Sequence, residues 1–184
     1  MQPHIVLDMD GVLADFIGGL LPVVSDVLGR EVREEHITEY YFEHALRIEP
    51  AVWTALWEAH EHRLYRECLP YPGVHEGLKR LAQLGRLSIH TARPVQAEAA
   101  TRAWISEHLG LELDVRFFPG AVKYTAAYEV DYFVDDNLSE IASAQAGRGF
   151  VMDRPWNRTG AAAATRRVSS LEEVAAHIEA DLAR

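Results

Sequence analysis

A chain of 184 residues, 48% of them hydrophobic, is long enough for one packed core with a modest insertion, and its net charge of −10 argues against binding of nucleic-acid polymers. No apolar stretch reaches the roughly 20 residues that span a bilayer, and no basic-then-apolar leader opens the chain, so a cytoplasmic protein without a membrane partner is expected. Cys68 is the only cysteine, which excludes an intrachain disulfide and a thiolate metal cluster and leaves a small buried hydrophobe as its simplest reading.

In chain order, residues 4–9 form an apolar strand that runs into two carboxylates one residue apart, Asp8 and Asp10, followed by Gly11. Residues i and i+2 of a strand project to the same side, so both acids are expected to face one spot at the strand's carboxyl end. Phe16, Leu20, Leu21, Val24, Val27 and Leu28 then recur at helical spacing up to Gly29. Residues 31–70 hold no convincing strand and are rich in aromatics and histidines, including Tyr40, Tyr41, Phe42, Trp53 and Trp57.

After Pro70, Pro72 and Gly73 the texture changes to alternating elements. A helix is expected near 74–84, a strand at 86–91, and a helix from Pro94 to about Leu109. A short strand near 114–118, a helix near 121–128, a strand at 131–135, a helix at about 138–146 and a strand at 148–152 follow. Ser170 and Glu173 form a capping box for a last helix carrying Leu171, Val174, Ile178 and Leu182 on one face. The alternation implies a Rossmann-like α/β three-layer sandwich around a mostly parallel sheet. On this reading residues 1–16 and 73–184 are the core, and 17–72 a small helical cap inserted above the sheet's carboxyl edge.

Open parallel sheets bind ligands at the carboxyl ends of their strands. There this sequence places Asp8, Asp10, Thr91, Asp135 and Asp136, with Lys123 opening the helix before the fourth strand. Crowded acids repel and are costly to bury, so a divalent cation is their natural compensation. Mg²⁺ prefers such oxygen ligands. Lys123 and Thr91 are suited to phosphate oxygens.

Four segments in this order, DMDGVLAD at 8–15, the strand ending in Thr91, Lys123, and DYFVDDN at 131–137, resemble the haloacid dehalogenase superfamily of phosphohydrolases. The resemblance implies an aspartyl-phosphate mechanism: Asp8 attacks phosphorus, and Asp10 protonates the leaving oxygen and later deprotonates water. It implies Mg²⁺ held by the Asp8 carboxylate, the Asp10 backbone carbonyl and Asp135, with Asp136 in support. Thr91 and Lys123 would stabilise the phosphoryl group, and Ala92 and Arg93 continue that phosphate-binding segment.

The helical insertion and Phe16 are similar to the deoxyribonucleotidase branch, which implies a (deoxy)nucleoside monophosphate substrate with Phe16 and the cluster Tyr40, Tyr41 and Phe42 as contacts to the base. The same aromatics equally suit the core of a small bundle. Ala92 stands where the mammalian deoxyribonucleotidases carry a serine, and DRPWNR at 153–158 resembles a bacterial offshoot of the branch. Arg93, Arg154 and Arg158 are candidates for an anion site or for salt bridges. A sugar-phosphate phosphatase or phosphotransferase, a non-catalytic phosphate binder and a homodimeric assembly stay open at this point. His60 and His62, two apart on a helix, make a poor metal pair, and Asp15 serves equally as a helix cap.

Overall fold

The computed structural model describes residues 2–120, 123, 129–143, 148–159 and 166–184. Its sheet has six strands in the order β3-β2-β1-β4-β5-β6, every neighbouring pair parallel. They are β1 (His4–Leu7), β2 (Arg86–Thr91), β3 (Asp114–Phe117), β4 (Tyr132–Asp135), β5 (Arg148–Met152) and β6 (Arg166–Val168). The helices are α1 (Phe16–Leu28), α2 (Phe42–Leu46), α3 (Pro50–Glu67), α4 (Val74–Leu84), α5 (Glu98–Leu109), α6 (Leu138–Ser143) and α7 (Leu171–Leu182). None is long and apolar enough to cross a membrane, among the described residues.

The expected α/β alternation is present. Ile5 and Leu7 of β1 join Tyr132 and Val134 of β4 in one apolar cluster, while Val6 and Phe133 join Ile141 in another. Alternate residues therefore enter opposite layers, and this is why these strands read as unbroken apolar runs. The first layer is closed by α4, α5 and α7, through Leu78, Trp104 and Val174.

Three details differ from the sequence reading. The first strand ends at Leu7 rather than residue 9, because the chain turns at once into a tight loop. The segment after Pro94 begins as a 3₁₀ turn, Val95–Ala97, before α5. A sixth strand, β6, carries two arginines in three residues and so shows no apolar pattern. The helix expected near 121–128 lies outside the described residues apart from Lys123, as do the last residues of the helix expected at 138–146.

Residues 16–67 hold α1, a 3₁₀ turn at Glu34–His36, α2 and α3, joined by irregular segments. Asp15 caps α1, its Oδ1 accepting the Gly18 N–H at 2.8 Å. The chain leaves and returns at one place. The Asp15 N–H donates to the Leu69 carbonyl at 2.7 Å, and the Tyr71 N–H to the Leu13 carbonyl at 3.0 Å. These helices share a separate apolar cluster, which includes Phe16, Ile37, Leu56 and Tyr65 and takes in Ala97, Ala100 and Trp156 from the sheet's carboxyl side.

Candidate active site

In a sheet of this order the chain winds outward from β1 in one direction through β2 and β3, and in the other from β4 onward. The crevice between β1 and β4 is the switch point where such sheets bind ligands. Leu7 is in register with Val134, and the Asp8 N–H donates to the Val134 carbonyl at 2.9 Å. The register delivers Asp8 and Asp135 to neighbouring strand ends.

Lys123 lies between them. Its Nζ is 2.8 Å from Asp8 Oδ1 and 2.7 Å from Asp135 Oδ2, and all three side chains are almost wholly buried. Asp135 also accepts the Asn137 N–H at 2.8 Å. Asp136 is buried beside them, accepting the indole N–H of Trp156 on Oδ2 at 2.6 Å. Asn157 Nδ2 ties down the Asp136 carbonyl at 2.8 Å.

Carboxylate oxygens of Asp8, Asp135 and Asp136 come within 4.8 Å of one another. Burial, and then the charge of Asp135, push Asp8 well above the usual carboxylate range against the pull of Lys123. The same two causes push Asp136 up to about 7, opposed by Lys123, the Trp156 hydrogen bond and Arg154. Among the described residues, three buried carboxylates around the Lys123 ammonium form an excess of negative charge. An all-oxygen donor set of this kind fits Mg²⁺.

Gly11 closes the other wall. Its φ is +83°, and a Cβ there would fall 2.4 Å from Asp136 Oδ2. A side chain at this position would collide with the carboxylate as well as strain the turn, so the loop's backbone can approach the acids only as glycine.

Asp10 and Asp8 both line the cavity above the sheet edge, although the strand ends at Leu7 and a tight loop rather than strand alternation carries Asp10 there, and they hold different cations. Asp10 is paired with Arg93, whose Nε and Nη2 donate to its two oxygens at 2.8 and 2.6 Å. Thr91 sits at the end of β2, 1% exposed, its hydroxyl accepting the Arg93 backbone N–H at 3.1 Å. Ala92 lines the cavity.

The cavity's outer wall is aromatic. Phe16, Tyr40, Phe42, Trp57, Tyr65 and Trp156 line it. Phe16 packs against Trp57 and Tyr65 with ring centroids 5.6 and 5.7 Å apart, so it serves both as core and as wall. Of the four residues expected to face a base, Phe16, Tyr40 and Phe42 reach the cavity and Tyr41 does not. Tyr41 is 61% exposed, in extended backbone at the start of α2, where successive side chains point apart. Its neighbour Tyr40, 40% exposed, lines the cavity, the phenol's ionisation opposed by its partial burial and then by Asp136, Asp8 and Asp135. Trp57, Tyr65 and Trp156 were not singled out as site residues. Trp156 had a signal in the DRPWNR segment, whereas Trp57 and Tyr65 lie in a stretch whose aromatics look alike in sequence.

Arg154 and Arg158 make internal contacts. Arg154 Nε donates to the Gly11 carbonyl at 2.9 Å, with its guanidinium 3.9 Å from the centre of the Tyr71 ring, and Arg158 pairs with Asp153 at 3.2 Å.

The sequence matches the family described as 5′ nucleotidase, deoxy (pyrimidine), cytosolic type C, over residues 2–182. A protein of Halalkalibacterium halodurans named as a candidate nucleotidase is 27% identical over 189 residues, covering 100% of this chain and 96% of its own. A Bordetella bronchiseptica protein named as a candidate 5′(3′)-deoxyribonucleotidase is 28% identical, covering 84% of this chain and 85% of its own. The fold is similar to that of a haloacid dehalogenase-like protein of Agrobacterium tumefaciens, with a TM-score of 0.68 at 15% identity, covering 99% of this chain and 100% of that one.

Proposed function

The chain belongs to the 5′ nucleotidase, deoxy (pyrimidine), cytosolic type C family of haloacid dehalogenase-like phosphatases, and from this premise we propose that it is a cytoplasmic, Mg²⁺-dependent nucleoside monophosphate phosphatase working through an aspartyl phosphate. The observation that carries the reading is a cavity with carboxylates and Lys123 on its floor and six aromatic side chains around its wall. An anionic phosphoryl group and a flat base are the two ends of one small molecule that such a cavity would accept.

In this reading Asp8, Asp135 and Asp136 hold Mg²⁺ together with the Asp10 backbone carbonyl. The ion, when bound, draws negative charge from the phosphoryl oxygens. Asp8 attacks phosphorus with its remaining oxygen, and Asp10 gives a proton to the departing ester oxygen. Lys123, the Thr91 hydroxyl and the backbone at Ala92 hold the phosphoryl oxygens in place during transfer. Water then cleaves the acyl phosphate as Asp10 takes up its proton. Residues 17–72 act as the cap, which carries Tyr40, Phe42, Trp57 and Tyr65 of the aromatic wall, over a core of 1–16 and 73–184 that supplies Phe16 and Trp156.

The test is phosphate release from a panel of nucleoside 5′- and 3′-monophosphates, sugar phosphates and p-nitrophenyl phosphate, with Mg²⁺ and with EDTA. Nucleotides turned over with the highest kcat/KM, and only with the metal, is the expected result. Sugar phosphates preferred over every nucleotide would replace the substrate assignment, and no metal-dependent release from any ester would overturn the reading.

A further inference from the structure

Arg93 follows Thr91 and Ala92 at the sheet edge and is only 2% exposed. A guanidinium has five N–H donors in a rigid plane. Here Nε and one hydrogen of Nη2 form a fork onto the two oxygens of Asp10, at 2.8 and 2.6 Å. Nη1 donates to the Tyr65 carbonyl at 3.1 Å and to the Thr101 hydroxyl at 3.2 Å, while Nη2 also lies 3.8 Å from Cys68 Sγ. The Tyr65 ring covers one face, 4.6 Å from the guanidinium carbon to its centroid.

Two consequences follow. The donors of Arg93 are taken up by protein acceptors, which leaves the phosphoryl group to Lys123, Thr91 and the backbone. The guanidinium plane is also fixed from α3 and α5 at once, and a bidentate pair transmits that orientation to its carboxylate. Both residues line the cavity, but Asp10 keeps 29% of its side chain exposed against 1% for Arg93, so the acid is the open partner of the pair.

We propose that Arg93 is a positioning residue for proton transfer, holding the Asp10 carboxyl edge-on to the ester oxygen of the substrate. The inference rests on the phosphohydrolase reading above. In the first half-reaction an Asp8 oxygen bonds to phosphorus, the bond to the ester oxygen breaks with its electron pair, and the Asp10 proton passes to that oxygen. In the second, a water oxygen bonds to phosphorus, the bond to Asp8 breaks, and a water proton returns to Asp10. A carboxyl group keeps acceptor sites when protonated, so the fork orients it in both halves.

Leaving-group dependence separates this role from a structural one. An alkoxide departs poorly without a proton, whereas p-nitrophenolate needs little help. kcat/KM, which reports the steps up to leaving-group release, is measured for a nucleoside monophosphate and for p-nitrophenyl phosphate. The proteins compared are the wild type, Arg93→Met, Arg93→Lys, Asp10→Asn and the double variant Asp10→Asn/Arg93→Met.

The expected loss for both Arg93 variants is about 10²-fold on the nucleotide and under about fivefold on the aryl ester, with no further loss when Arg93→Met is added to Asp10→Asn. Arg93→Lys keeps the charge but not the fork, and carries the test should circular dichroism show Arg93→Met unfolded. Equal losses on both esters, or no loss, would overturn the Arg93 assignment alone. A wild type inactive on both esters would overturn the phosphohydrolase reading, and this inference with it.

Discussion

Trp156 donates its indole N–H to Asp136 Oδ2 at 2.6 Å while its ring packs edge-on against Phe42 at 5.8 Å. One side chain thus joins a carboxylate of the proposed metal site to the aromatic wall above it. Partners that orient a ligating carboxylate are worth about 10–100-fold in metal affinity. Trp156→Phe keeps most of the ring and deletes the donor. The half-saturating Mg²⁺ concentration is expected to rise by about tenfold, with the same shift in Mn²⁺ binding followed by electron paramagnetic resonance.

Lys123 is the shared cation of Asp8 and Asp135. Removing one member of a buried ion pair leaves the other charge uncompensated, at a cost of about 3–5 kcal/mol. Lys123→Met is expected to lower unfolding stability in EDTA by that order, and Mg²⁺ is expected to restore part of it. Urea unfolding under both conditions measures the difference.

The acid cluster sets a direction for pH dependence. Burial, and then the charge of Asp135, raise Asp136 to about 7 in the folded chain, against an ordinary carboxyl value of about 3.8. Between those limits the folded state binds more protons than the unfolded one. Its contribution is full below about 3.8 and is lost as pH rises through about 7. A bound divalent cation replaces that proton. The rise in Tm produced by Mg²⁺ is therefore expected to be larger at about pH 8 than at about pH 6.5, and the Asp136→Asn variant should narrow this pH difference, Asp8 being raised by the same burial. His4 and His90 are both lowered by burial from 6.5, His90 to about 4, so their contributions are present above 6.5 and fade at lower pH, outside this window.

Phe42 lines the cavity and Tyr41 does not, though they are adjacent. Stacking on a base is worth roughly 1–3 kcal/mol, so Phe42→Ala is expected to raise KM for a nucleotide by about tenfold or more. The KM for glycerol phosphate, which has no ring to stack, should move far less. Tyr41→Ala, in contrast, should leave both values within about twofold, as an exposed side chain away from the cavity.

Much of the sheet and its acid edge was legible because the strands are apolar on both faces and end in charged residues. That pattern has few other uses at Leu7-Asp8 or Val134-Asp135. The cap at Ser170 was readable for the same local reason: its hydroxyl accepts the Glu173 N–H at 3.2 Å, while Glu173 Oε2 accepts the backbone N–H of Ser169 rather than that of Ser170, so the expected box forms only in half. What was not legible depends on side-chain reach across the fold. The pairing of Arg93 with Asp10 joins residues 83 positions apart through one arginine rotamer. Tyr40 and Tyr41 differ only in which way an irregular stretch presents them. β6 was missed because the arginines that break its apolar pattern are satisfied at a distance, Arg166 by Asp181 and Arg167 by Asp153 and Asn157.

The most direct test of the account is rapid acid quenching of the enzyme during turnover of a nucleoside monophosphate with Mg²⁺, followed by peptide mass spectrometry. The account predicts one added phosphoryl group on the peptide containing Asp8, absent in EDTA and absent in Asp8→Asn, a folded variant slowed by at least ~10³-fold. Rapid turnover by Asp8→Asn, or a phosphoryl group captured on a different residue, would contradict it.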